Sequence, residues 1–125
     1  MSGAPSWLES AIAQFGQSAG LDTLALQNGT AALRFDNGAS LRLEYRDGEL
    51  AMAVCAPAGD PRRLLTLAHP DGHLPFRVRT GILPRTGEAV LAIRLPEREV
   101  TLVKLNAAFT LLWRLAQESG GSSWT

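Results

Sequence analysis

Cysteine is nearly missing from this chain of 125 residues, where Cys55 stands alone. One thiol excludes an intramolecular disulfide and any zinc cluster built on cysteines. Cys55 falls within the apolar run LAMAVCA (50–56), which reads as a small buried side chain rather than a reactive thiol. A surplus of either charge is missing too. Twelve Lys plus Arg balance twelve Asp plus Glu, so no basic field is available to hold nucleic acid.

Long uncharged apolar runs are also lacking. A membrane-spanning helix needs about 20 consecutive, largely apolar residues. The greasiest segment, VTLVKLNAAFTLLWRLAQESGG (100–121), is broken by Lys104 and Arg114. The N-terminus carries no basic stretch ahead of a long apolar core, so it does not read as a secretory signal. The expectation is a cytoplasmic protein with no membrane insertion. The Asn28-Gly29-Thr30 sequon then has no glycosylation meaning.

Catalytic motifs are equally scarce. There is no Gly-rich phosphate loop followed by lysine, no G-x-S-x-G elbow, and no cysteine–histidine pair. Both histidines sit in HPDGH (69–73), with Asp71 between them. Metal-binding histidines at this spacing normally share a helix face. Pro70 and Gly72 oppose that geometry, so the segment reads as an exposed loop. The acidic residues fall mainly in turns and at helix starts, where solvated carboxylates belong. The sequence therefore predicts no catalytic residue, no metal and no cofactor.

What the chain does have is apolar patterning, with 46% hydrophobic residues, too many for a disordered body. A single domain spanning 1–125 is expected, with an ordered core of about 5–119 and a flexible tail at 120–125. Ser6 and Glu9 fit a capping box ahead of Trp7, Leu8, Ala11, Ile12 and Phe15 at helical spacing, with Gly20 as the stop. AALRFD (31–36) and SLRLEYR (40–46) alternate like half-buried antiparallel strands. Asp36-Asn37-Gly38 and Arg46-Asp47-Gly48 supply hairpin turns. ELAMAVCA (49–56) reads as a central strand, and TLALQ (23–27) as a short edge strand. GDPRRLLTLAHPDG (59–72) opens with a capping Asp60 and Pro61, predicting a helix of about two turns. PFRVRTGIL and EAVLAIRL form a second hairpin around Pro84 to Gly87, and a long helix runs from about Glu97 to Ser119.

The element order is α-β-β-β-α-β-β-α. It predicts an α+β fold in which helices pack on a mainly antiparallel five-stranded sheet. The supply of apolar surface exceeds what one such layer needs. The final helix is apolar around most of its girth, and Ala51, Ala53, Ala89 and Ala92 are expected on the second face of the sheet. Either the monomer is wrapped tightly or another chain covers part of this surface.

The element order, the short DPRRLLTLA helix between the sheet halves, the VLAIRLP strand and the long amphipathic last helix resemble the class I type III secretion chaperones. The resemblance covers roughly residues 5–119. It implies a homodimer that binds the extended N-terminal region of a secreted effector, or of a secretion-apparatus protein, and keeps it export-competent. The family's dimer seam uses the middle helix and the following strand. That places Leu64, Leu65, Leu67, Val78, Arg79 and Ile82 at the seam, with Arg77 or Arg79 projecting from the strand. Clients would occupy grooves of the first helix and sheet, implying Trp7, Phe15, Leu33, Phe35 and Leu43 as client-binding residues. Family members are usually acidic, whereas this chain is neutral. A dimerisation module of the same fold without an unfolded client is the alternative, and a small enzyme using the His69–His73 loop a further one.

Overall fold

The structure, a computed structural model, describes residues 4–21, 24–36, 38–57 and 76–120. Helix α1 (Ser6–Ser18) is followed by β1 (Thr30–Arg34), β2 (Ser40–Arg46) and β3 (Glu49–Pro57). Then come β4 (Arg79–Ile82), β5 (Glu88–Pro96), a 3-10 turn (Glu97–Glu99) and helix α2 (Leu102–Gly120). The five strands form one sheet in the order β1-β2-β3-β5-β4, and every pairing is antiparallel. This is the expected α+β architecture. The predicted middle helix, with Leu64, Leu65 and Leu67, lies outside the described residues, as do His69, Asp71 and His73.

Turn chemistry sets the register. Asp47 and Gly48 both take positive φ, at 52° and 78°, between the paired residues Arg46 and Glu49. That is the two-residue turn whose twist matches the flanking strands. Alternation along β2 and β3 then decides which side chains face the helices. Leu41 and Leu43 of β2, and Leu50, Met52 and Val54 of β3, are buried. Opposite Met52 and Val54 stand Ile93 and Leu91 of β5, also buried.

Helix α2 lies over β3 and β5 and against α1. Leu105, Ala108, Leu112, Leu115 and Ala116 are almost wholly buried, at the spacing of one helix face. Phe109 and Trp113 occupy a second, half-buried stripe. Most of the girth is therefore used within one chain. Val103, 77% exposed, is the clear exception.

Several expectations are corrected. Helix α1 is capped by the Pro5 carbonyl, which accepts from the Leu8 and Glu9 amides, and no side-chain cap is made. Pro5, at φ −60° and ψ 150°, is already set to launch the helix, so Ser6 enters the first turn instead of preceding it. Residues 24–27 form no strand beyond one bridge between Gln27 and Thr30. Leu24 and Leu26 serve as core plugs. The final helix does not begin at Glu97: Val100 is extended, and the Thr101 hydroxyl accepts from the Lys104 amide at 3.1 Å, starting a new helix. Ala89 does not face outward. It stands opposite Ala56 and Ile82 and is 1% exposed.

Candidate functional site

Two surfaces combine apolar or charged side chains with access to solvent. The first runs along β1, an edge strand of the sheet. Edge strands leave a row of backbone donors and acceptors unpaired. Ala31 and Leu33 stand opposite Leu43 and Leu41, so they belong to the helix-facing side. Ala31 is buried, whereas Leu33 is only half-buried. Just past the strand, the Phe35 amide donates to the Ala39 carbonyl at 2.8 Å, which holds Phe35 at the mouth of the hairpin.

Phe35 meets the second stripe of α2. Its ring lies 4.7 Å from Trp113 in an edge-on arrangement and 6.5 Å from Phe109, nearly parallel. Phe109 in turn touches Trp113 at 5.7 Å and Phe15 at 5.7 Å. Aromatic pairs at these separations are each worth about 0.5–1.5 kcal/mol beyond area burial. The rings form a shelf beside β1, an edge strand among the described residues.

The structure sorts the expected client-binding residues into two groups. Phe15 and Leu43 are 0% exposed and belong to the core, which corrects their placement in a groove. Phe15 faces the other helix through Phe109, and Leu43 is on the inner face of β2 between Ala31 and Met52. Leu33 and Phe35 stay half-buried on the β1 side. Trp7 is 46% exposed; among the described residues it makes no ring contact with the shelf. Phe109 and Trp113 were missed as part of this surface. Their signal was present as an aromatic pair at i, i+4, which a helix brings onto one face.

The second surface is the outer face of the sheet. Ala51, Ala53 and Cys55 of β3 and Val90 and Ala92 of β5 make a half-buried floor of small side chains. Burial raises the Cys55 thiol pKa, and the Ser40 hydrogen bond only partly opposes it, so a reactive thiolate is disfavoured here. The register places Arg79 opposite Ala92, on this outer face, while Ile82 stands opposite Ala89 on the other. The residues expected at one seam are thus divided: Val78 packs on the core, Ile82 is exposed on that same side, and Arg79 turns away.

No helix among the described residues is long and apolar enough to cross a membrane. Among those residues no group of three or more His, Cys, Asp or Glu side chains is placed to hold a metal.

The sequence profile of the type III secretory system chaperone SycN family matches residues 7–119. The chain belongs to this family. It is 36% identical over 123 residues to the chaperone protein SycN of Yersinia enterocolitica, covering 90% of this chain and 96% of that protein. Its fold is similar to a chain in the crystal structure of the ExsC–ExsE complex, at a TM-score of 0.70 and 21% identity, with 90% of each chain covered. It is also similar to a chain of the ExoT–SpcS complex from Pseudomonas aeruginosa, at 0.69 and 19% identity, covering 93% of this chain and 99% of that one. The protein is therefore a class I type III secretion chaperone with the α+β fold of that group.

Proposed function

We propose that this chaperone binds an extended segment of a secreted effector, or of a secretion-apparatus protein, through the β1 edge and the shelf beside it. The observation that carries the reading is Phe35, half-buried beside the edge strand of the described sheet and backed by Phe109 and Trp113. An extended client adding a strand to β1 gains main-chain hydrogen bonds, and alternate side chains reach Leu33 and Phe35. Trp7 supplies a separate exposed anchor on α1. The relatives in solved complexes support this reading, since the ExoT–SpcS structure holds two different proteins together. Ordering an unfolded client costs conformational entropy, so a large contact surface yields only moderate affinity. No catalytic step is part of this function.

The functional unit is proposed to be a homodimer, as the family resemblance implies. Its seam would combine Leu64, Leu65 and Leu67 with Val78 and Ile82. Ile82 and Leu83 are among the few large apolar side chains exposed among the described residues, at 44% and 39%, and both lie on the β4 side of the sheet. The test is co-expression with the protein encoded beside it, followed by purification and light scattering. A stoichiometric complex containing two copies of this 13.4 kDa chain is expected, and Phe35→Ser should release the client while the dimer survives. Purification of the chain alone as a strict monomer would overturn the dimer, and undiminished client retention by Phe35→Ser would overturn the binding surface.

A further inference from the structure

At one end of the outer sheet face three arginines and one carboxylate share a hollow. Arg77, Arg79, Arg94 and Glu49 line a hollow of about 210 Å³. Arg94 and Glu49 are 3.8 Å apart, with both side chains about half exposed. Among the described residues neither Arg77 nor Arg79 forms an ion pair. The hollow thus carries, among the described residues, two guanidinium charges beyond what Glu49 neutralises, in a chain whose net charge is zero. The adjoining hollow, lined by Glu44, Arg46, Asp47, Glu49, Ala51 and Arg94, is mixed in sign and lacks this excess.

The spacing of the arginines is specific. Arg79 lies on the outer face opposite Ala92, and Arg77 reaches the same hollow from two residues earlier. Two residues along an extended chain advance about 6.6 Å. Side chains at i and i+2 of an extended partner segment repeat at the same interval and point to the same side. Arginine presents a planar fork of donors that matches a carboxylate in two-point contact.

We propose that Arg77, Arg79 and Arg94 form a cradle for an acidic, extended segment of the partner protein, with carboxylates at alternate residues. One carboxylate lies beside Arg77 and the next beside Arg79, while Arg94 is held in place by Glu49. The register puts Arg79 on the opposite face of β4 from Ile82, so the two side chains are not on one surface. The cradle gives the chaperone a charge criterion for its client in addition to the apolar one at β1. This proposal rests on the client-binding reading above, but its test uses no client, so the two fail separately.

The test is fluorescence anisotropy at low ionic strength with a fluorescein-labelled peptide of alternating Thr and Glu. A Thr-Gln peptide of the same length and a single-stranded oligothymidine serve as controls. The Thr-Glu peptide is expected to bind, with affinity falling steeply as salt is added. The Arg77→Ala, Arg79→Ala double variant should bind it roughly tenfold more weakly with an unchanged melting temperature, since both side chains are exposed. Equal binding of the Thr-Gln peptide, or full binding by the double variant, overturns the proposal. So does tighter binding of oligothymidine, which would mark a general anion patch. A change in solution mass on Arg77→Glu, Arg79→Glu substitution would overturn it as well, by assigning the cradle to contact between copies.

Discussion

The Tyr45 hydroxyl donates a hydrogen bond to the Glu97 carboxylate, tying the end of β2 to the 3-10 turn that leads into α2. The Glu97 amide donates to the Gly48 carbonyl at 2.8 Å, so the same turn is held from two sides. The hydrogen bond to Glu97 is the main cause of the raised Tyr45 pKa, with burial and the nearby negative charges adding to it. Tyr45 holds its proton more tightly in the folded chain than in the unfolded one. Its contribution is therefore complete below the ordinary tyrosine pKa of about 10 and is lost as pH rises through the higher folded value. Melting temperature should fall as pH rises from about 10 toward that higher value in the native protein, and Tyr45→Phe should flatten the decline. Thermal unfolding followed by circular dichroism across alkaline pH measures both slopes.

The burial contrast between two phenylalanines gives a second expectation. Phe15 is 0% exposed, and Phe15→Ser leaves a cavity that should cost roughly 3 kcal/mol or more. Phe35 is half-buried at the rim. Phe35→Ser should cost less than half as much yet sharply weaken client retention, as expected for an aromatic anchor. Denaturant unfolding and client co-purification on both variants separate core from contact surface. Equal destabilisation by the two substitutions would remove Phe35 from the binding surface.

Gly16 gives the third. A Cβ added there would sit 2.7 Å from the Leu21 carbonyl oxygen and 3.2 Å from the Leu24 Cβ. The backbone cannot step aside, because Leu21 donates back to the Gly16 carbonyl and Gly20 to that of Gln17. These are the paired hydrogen bonds of a helix ended by a left-handed glycine, and Gly20 has φ 76°. Gly16→Ala should lower stability by about 1–3 kcal/mol, although alanine normally favours a helix. An unchanged urea midpoint would show that Leu21 and Leu24 yield.

Strands β2 and β3 were legible because one face of each is buried and a two-residue turn fixes their register, so alternation maps directly to burial. Phe15 and Leu43 could not be told from Phe35 by pattern. All three lie on apolar stripes, and only the third dimension shows that Phe15 faces Phe109 while Phe35 stands at the mouth of a hairpin. The break at Val100 was hidden by the apolar residues on both sides of it. Its signal was Thr101, which competes for the cap position ahead of Lys104. Leu24 and Leu26 mimic a strand in the sequence because alternate burial needs no strand partner when the segment lies directly on the core. The arginine cradle is only half visible in the sequence: Arg77 and Arg79 stand two residues apart, but only the folded sheet brings Arg94 to the same hollow.

The order β1-β2-β3-β5-β4 has a kinetic consequence. Strands β1 to β3 are joined by short turns and pair with their sequence neighbours, contacts that form within microseconds. The other edge of β3 finds its partner only when β5 arrives, and those pairs span from Pro57–Glu88 to Glu49–Pro96. Closing that distance costs loop entropy before any contact repays it. Until then the nascent chain presents Leu50, Met52 and Val54 on an open strand. That edge, later the middle of the sheet, is where mispairing during synthesis concentrates.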